Sequence, residues 1–301
     1  MEHDTDEKAI VIACFGATYP KALIDITTIR KEVQKAFPRA KVKVAFTSNI
    51  IRRIWHERQR DTEYRAKNGD ADAEILCARG PLATIADLQD AGYKVIIVQP
   101  THIYAGEEYH DLASYIDGLN AIRTIKAKYM PFKKLVLGRP LLGKPGPQYN
   151  YRKDMIHAAK ALAPDVSLAK KNHAALVYMG HGNRFYSTGV YIEFQQVMRR
   201  MYAGTDIFVG TVEGFPSLED VVNILTRVGV KKVVLKPFMM VAGEHARNDM
   251  AGDQDDSWKS VIRSEGITVT CVLQGLGKYA EIRHIFIEHI KDVARDNKIP
   301  L

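Results

Sequence analysis

Cysteine is scarce, with three in 301 residues: Cys14, Cys77 and Cys271. So few thiols exclude a disulfide framework and a Cys-based zinc site. Cys14 and Cys271 fall in apolar runs, where a thiol is usually a small core group. No apolar run approaches the roughly 18 residues that a membrane helix needs, so no membrane partner is expected. The acidic start, Met1-Glu-His-Asp-Thr-Asp-Glu7, lacks the basic and apolar regions of a secretory signal. As written the chain reads as cytoplasmic; removal of a leader would make it periplasmic. A nucleic-acid module, or a basic stripe with stacking aromatics, is also missing. The formal charge is nevertheless +8. Its cations lie in separate groups, Arg52, Arg53, Arg58 and Arg60 in one and Lys126, Lys128, Lys133 and Lys134 in another. Most of them read as a solvated basic surface, and the balance also suits a polyanionic small molecule. No nucleic-acid partner is expected.

What is present is a regular alternation of apolar, β-branched runs with helix-length amphipathic segments. Strands are expected at Ala9–Phe15, Val42–Thr47, Lys94–Gln99 and Lys134–Leu137, and again at Ala174–Met179, Ile207–Thr211, Lys232–Lys236 and Thr268–Leu273. Strands alternating with helices indicate parallel sheets. The two sets align with each other. Phe15-Gly-Ala17 matches Met179-Gly-His181, and Val44-Ala-Phe-Thr47 matches Phe208-Val-Gly-Thr211 at the same offset. Val95–Pro100 matches Lys232–Pro237, and Ala105-Gly-Glu-Glu108 matches Ala242-Gly-Glu-His245, at a second, shorter offset. The change places an insertion in the charged stretch Arg52–Gly80. The expected fold is α/β: two similar Rossmann-like domains with parallel sheets, related by internal duplication. The first domain is 1–140 and the second is 141–278. Gly138–Asn150, rich in proline and glycine, reads as the linker. A last helix, roughly Tyr279–Asp296 within 279–301, is available to pack back on the first domain.

Three stretches at the ends of strands in the second half carry metal-ligand chemistry: Tyr178-Met-Gly-His-Gly182, Gly210-Thr-Val-Glu-Gly214 and Val241-Ala-Gly-Glu-His245. His181, Glu213 and His245 are evenly spaced, about one strand–helix unit apart. In open parallel sheets ligands bind at the carboxyl ends of strands near the switch in strand order. With order 2-1-3-4, His181 would lie between Glu213 and His245, and strands about 4.8 Å apart would bring the three to one ion. Two imidazoles and a carboxylate leave coordination positions open, as catalytic sites do, and suit divalent cobalt, iron, nickel or zinc. The first half has Ala17, Asn49 and Glu108 at the matching positions, so the second half carries the site, with Glu108 a candidate to face the ion from the first domain. His245, Asp249 and Asp253 are spaced to share a helix face, which would make Asp249 and Asp253 a path for a hydrated cation; the competing reading is a capped turn before a helix opening at Ser257-Trp258. Trp258 reads as core. His102 either touches a substrate or bonds a loop carbonyl. His56, His110, His157, His173, His284 and His289 read as surface residues.

At these motifs the chain resembles the sirohydrochlorin cobaltochelatases of anaerobic cobalamin biosynthesis, a branch of the ferrochelatase-like class II chelatases. The carrying residues are Ala13-Cys-Phe-Gly-Ala-Thr18, Ala45-Phe-Thr-Ser48, His102 with Gly106-Glu-Glu-Tyr109, Met179-Gly-His-Gly182, Gly210-Thr-Val-Glu-Gly214 and the run from Val241 to Lys259. The resemblance implies a two-domain chelatase fold holding the anionic tetrapyrrole sirohydrochlorin in its cleft. It also implies a divalent metal as substrate, Co2+ first and Fe2+ or Ni2+ as alternatives, with no nucleotide cofactor. His181 and His245 become metal ligands, with Glu213 completing the set, and Glu108 a pocket acid. His181 is the candidate for ligand and base together. Arg52 and Arg53 are candidate partners for substrate carboxylates, with surface placement the competing reading. The rival functions are a ferrochelatase making sirohaem or haem, and a carrier that binds metal or haem without turnover. The oligomeric state is left open, a homo-oligomer included.

Overall fold

The computed structural model of the protein describes residues 7–67, 75 and 77–301. The acidic residues 1–6 and part of the proposed Arg52–Gly80 insertion lie outside the described residues. Among the described residues there are eight strands: β1 (Lys8–Cys14), β2 (Lys41–Phe46), β3 (Val95–Pro100), β4 (Lys134–Leu137), β5 (Ala175–Gly182), β6 (Ile207–Glu213), β7 (Lys232–Phe238) and β8 (Thr268–Cys271). They form two four-stranded sheets in the orders β2-β1-β3-β4 and β6-β5-β7-β8. Every pairing is parallel. All eight expected strands are found, and the same order recurs in both halves.

The chain divides into two compact units, one taking the residues up to Pro140 together with Arg283–Leu301, the other Leu141–Ile282. Within each unit the central strands are buried along nearly their whole length. That is why they read as continuous apolar runs rather than as alternating ones. In the second unit Val177, Met179, Phe208, Leu225, Leu235 and Trp258 share one core, so Trp258 is a core residue as expected. Helix Trp258–Ser264 is opened by Ser257, whose side chain accepts from the Ser260 amide. Helix Leu218–Arg227 starts with a capping box formed by Ser217 and Asp220.

The segment Gly138–Asn150 is not loose. Leu141 and Leu142 are buried, and the Gln99 side chain donates to the Arg139 carbonyl at 2.9 Å. The last helix is Ala280–Asp296. One expectation fails on it: His289 is only 1% exposed. It shares the inward stripe of Phe286, Ile290 and Val293, and its Nδ1 donates to the Arg139 carbonyl at 3.1 Å. The buried stripe of an amphipathic helix, not the polarity of imidazole, decided its place. The other five histidines read as surface residues are exposed.

Beneath the second sheet lies a buried polar network. Lys236 of β7 pairs with Asp165 and donates to the Tyr279 hydroxyl at 2.7 Å. Tyr178 of β5 donates to the other Asp165 oxygen at 2.6 Å, and Tyr279 also donates to Asp165. A buried ammonium and carboxylate are tolerable only when paired and hydrogen-bonded in this way. Asp165→Asn, which leaves Lys236 charged and uncompensated, is expected to lower stability by about 3 kcal/mol. Adding Lys236→Met should recover much of that loss. Denaturant unfolding of the three proteins checks this, and equal stability of the single variant and wild type would rule it out.

Candidate active site

β5 is hydrogen-bonded to β6 on one side and to β7 on the other. His181 is the penultimate residue of β5, Glu213 is the last of β6, and His245 follows β7 on the loop that enters the turn Ala246–Met250. All three are half-buried. β5 and β6 run further than the sequence suggests, because their ladder continues to the pair Gly182 and Glu213. There the backbones approach so closely that a Cβ on Gly182 would stand 1.7 Å from the Glu213 carbonyl oxygen, and Gly182 has φ +77°. Only glycine satisfies both conditions.

The imidazoles of His181 and His245 meet edge to face, with centroids 4.9 Å apart and planes at 85°. His181 Nδ1 lies 3.1 Å from the Gly182 carbonyl oxygen, and His245 Nδ1 lies 2.5 Å from Asp249 Oδ2. Each oxygen can accept from a proton on the Nδ1 beside it, an arrangement that orients the ring. Glu213 has turned elsewhere: its Oε1 is 3.4 Å from Nε of the exposed Arg184. Among the described residues no group of three or more His, Cys, Asp or Glu could hold a metal ion. The structure thus brings together the two imidazoles and Asp249, and leaves Glu213 paired with Arg184.

The expected acidic ladder does not form. The wide, π-type turn covers Ala246–Met250 and ends there, so His245 and Asp249 face each other but Asp253 lies beyond the helical run. Asp253 is exposed and pairs with Lys259 Nζ at 2.6 Å, which lowers its pKa. The capped-turn reading accounts for it: the chain must turn at Gly252 to open the next helix at Ser257.

The first unit assembles its own polar cluster at the same sheet edge. Thr47 Oγ1, just past β2, is 3.2 Å from His102 Nε2, and the Thr47 hydroxyl also bonds Glu108. Burial pushes the Glu108 carboxyl up, against the pull of that hydrogen bond. His102 as a residue is half-buried, but its Nδ1 is shut off from solvent without a partner. This desolvation lowers its pKa to about 4. Arg52 turns inward, donating to the Phe46 and Thr47 carbonyls at 2.7 and 2.8 Å and to the Asn49 side chain. Arg53 is exposed. The sequence reading missed Thr47 and Arg184 as partners of site candidates. Each lies within two residues of a strand end, which was the available signal. A groove of about 240 Å³ is lined by Ile192, Val221, Ile224 and Phe215. It lies against the outer flank of β6, away from the imidazoles, and is smaller than the roughly 300–1,000 Å³ usual for ligand sites.

The two parallel sheets place the chain among chelatase folds. The structure of SirB from Bacillus subtilis with Fe3+ superposes with a TM-score of 0.62 at 11% identity, covering 97% of each chain. The sirohydrochlorin chelatase SirB from Bacillus subtilis subspecies spizizenii, in complex with cobalt, gives 0.60 at 12%, again over 97% of each. At such identities the likeness concerns fold alone. The family follows from sequence: residues 8–295 match the cobalt chelatase (CbiK) family, and the chain belongs to it, a family of metal chelatase enzymes. The sirohydrochlorin cobaltochelatase of Salmonella typhimurium is 31% identical over 94% of this chain and 95% of its own. Sirohydrochlorin cobaltochelatase CbiKC of Nitratidesulfovibrio vulgaris is 28% identical over 94% and 89%. Among the described residues no helix is long and apolar enough to cross a membrane.

Two outcomes are expected. Gly182→Ala should displace the ends of β5 and β6 and lower the melting temperature by several degrees, a cost of at least about 1–3 kcal/mol for strain at a special backbone position. His102 should titrate near pH 4 in a histidine NMR titration. With its folded pKa depressed, the unfolded chain binds the extra proton between about pH 6.5 and 4, so this group removes stability as pH falls through that window. His102→Gln should flatten the slope there. A midpoint above 6 would contradict the desolvated ring.

Proposed function

We propose that the protein inserts Co2+ into sirohydrochlorin, a step of cobalamin biosynthesis, with His181, Glu213 and His245 receiving the ion. The observation that carries this reading is the imidazole pair at the carboxyl edge of the second sheet, with centroids 4.9 Å apart. It occurs in a chain whose relatives bear the name sirohydrochlorin cobaltochelatase. Metal–imidazole bonds are about 2.0–2.1 Å, so two rings at this spacing can share one ion after small side-chain rotations. Glu213 would join them by exchanging its exposed contact with Arg184, a pairing of the kind that contributes about 0–1 kcal/mol.

Insertion exchanges a divalent ion for two pyrrole N–H protons. The protein must therefore strip water from the ion, hold it weakly enough to release it, and accept protons. Two imidazoles and one carboxylate do the first without closing the coordination sphere. As the ion passes to the macrocycle, the vacated Nε2 of His181 can take one of the two pyrrole protons, a task for which imidazole is suited near neutral pH, and solvent water takes the other. Asp249 holds His245 in one tautomer, the usual outer partner of a ligating histidine. The +8 charge favours approach of a substrate with many carboxylates. In the first unit, Glu108 and His102 are the proposed substrate contacts. Arg53 keeps its exposed cation for a carboxylate, whereas Arg52 is engaged with backbone carbonyls. For Asp253 the contact with Lys259 favours a structural role.

Metal-free protein mixed anaerobically with sirohydrochlorin should show faster absorbance change on adding Co2+ than the uncatalysed mixture, and comparison with Fe2+ identifies the preferred ion. His181→Ala should lose about 100-fold or more in rate. Asp249→Ala should weaken Co2+ binding by about 10–100-fold with little effect on the tetrapyrrole. Tight binding of the tetrapyrrole without acceleration would instead make the protein a carrier.

A further inference from the structure

The lysine group Lys126, Lys128, Lys133 and Lys134 has no part in the candidate site. It belongs to the connection between helix Glu107–Asn120 and β4, which passes through a 3-10 turn at Ala127–Tyr129. Apolar side chains stand in solvent on the same connection: Ile125 is fully exposed, Tyr129 is 61% exposed and Ile122 is 41% exposed. Single exposed apolar residues are ordinary, but three within eight residues form a patch. Cations surround them. Arg123, Lys126, Lys128 and Lys133 are exposed, and Lys128 Nζ lies 5.0 Å from the centre of the Tyr129 ring. No Asp or Glu occurs between Asp117 and Asp154. Two further elements add charge. The Lys133 amide donates to the Lys94 carbonyl at 2.8 Å, and Lys134 Nζ donates to the carbonyl of the exposed Lys298 at 3.1 Å. Of the acids that adjoin the patch, Asp296 pairs with Arg295, and Glu7 sits beside Tyr93 and Lys43. The turn is held by its own backbone. Thr124 Oγ1 and the Tyr129 amide both donate to the Lys126 carbonyl, at 2.8 and 2.9 Å, and the Asn120 side chain donates to the Leu135 carbonyl at 2.9 Å. The patch lies at the amino end of the first sheet, the opposite end from Thr47 and His102.

We infer that this turn is a docking surface for an anionic lipid bilayer, with Ile125 and Tyr129 entering the interface and the lysines meeting the headgroup phosphates. The lack of a membrane-spanning helix among the described residues concerns insertion, not contact with a bilayer surface. The composition of the patch selects the partner. Protein interfaces are depleted in lysine and seat their anchors in fitted pockets. Here the cations other than Arg123 are lysines, and the isoleucine stands fully exposed. A fluid bilayer needs no matching shape. It takes an aliphatic side chain into its acyl boundary, a tyrosine at headgroup level and lysines at its negative surface. Aliphatic side chains do not offer the stacking that single-stranded nucleic acid uses. A patch of this size gives reversible attachment rather than anchoring.

The test is flotation of the whole, metal-free chain with vesicles of phosphatidylcholine, alone or mixed with phosphatidylglycerol. The protein should float with the mixed vesicles at low salt, bind the neutral ones at least about tenfold less, and be released as salt rises. Lys126→Glu with Lys128→Glu should lower the partition coefficient at least about twentyfold, since each cation at an anionic surface is worth about fivefold. Ile125→Asp should lower it at least about tenfold, and Ile125→Trp should raise it. Circular dichroism should match wild type in every variant; should Ile125→Asp fail to fold, Ile125→Ser carries the same comparison. Equal binding to both kinds of vesicle, or anionic binding unchanged in these variants, would overturn the proposal. Capture by soluble polyglutamate without flotation would also overturn it and make the patch a site for an acidic protein.

Discussion

The close approach of β5 and β6 at Gly182 is the constraint on which the candidate site depends. A side chain there would occupy the position of the Glu213 carbonyl oxygen. With none, the ladder runs on to the last residues of both strands. His181 and Glu213 are then carried on neighbouring, hydrogen-bonded strand ends rather than on loops. The same contact fixes the loop that follows, since the Asn183 amide donates to that carbonyl. Gly210 serves a related purpose nearer the middle of β6, where Val221 and Trp258 pack within 2.7 Å of where its Cβ would be. Helix and sheet meet without a spacer at that point.

Two copies of one topology have put this edge to different uses. In the first unit Arg52 closes the end of β2 through two backbone carbonyls. Ala17 is buried, and its carbonyl accepts from the Trp55 indole at 2.9 Å. Hydrogen bonds of this kind tie down the part of the edge next to β1 and β2. In the second unit the equivalent places carry imidazoles whose Nδ1 atoms are engaged by oxygen. The stabilising polar work of that unit is moved beneath the sheet, to Lys236, Asp165 and Tyr279. A fold that keeps its buried charges in the interior can leave its carboxyl edge to chemistry.

All eight strands were legible because parallel, doubly buried strands write long β-branched runs, as in Ala9–Cys14 and Val95–Val98. The spacing of His181 and His245 was legible for the same reason, being set by whole strand–helix units. What sequence could not supply is direction. Glu213 sits where expected, yet its carboxylate meets Arg184, a residue distant in role but adjacent in space. Asp253 keeps the i+8 spacing from His245, yet the helix stops at Met250, because a periodicity does not say where a turn will end it. His289 looked like a surface residue by type and proved to be a satisfied core histidine by its place on an apolar stripe.

The two imidazoles are not equivalent, and the difference bears on how a chelatase can both hold and release an ion. His245 is backed by the Asp249 carboxylate at 2.5 Å, a partner that strengthens the ring as a lone-pair donor toward a cation. His181 is backed by a neutral peptide carbonyl at 3.1 Å, which orients the ring with less electron donation. An ion shared by the pair would be bound more firmly on the His245 side and would leave His181 first. The ring that lets go first is the one free to receive a proton. On this argument the proposed division of labour would follow from which oxygen stands behind each Nδ1, with His181 acting as ligand and base in sequence rather than at once.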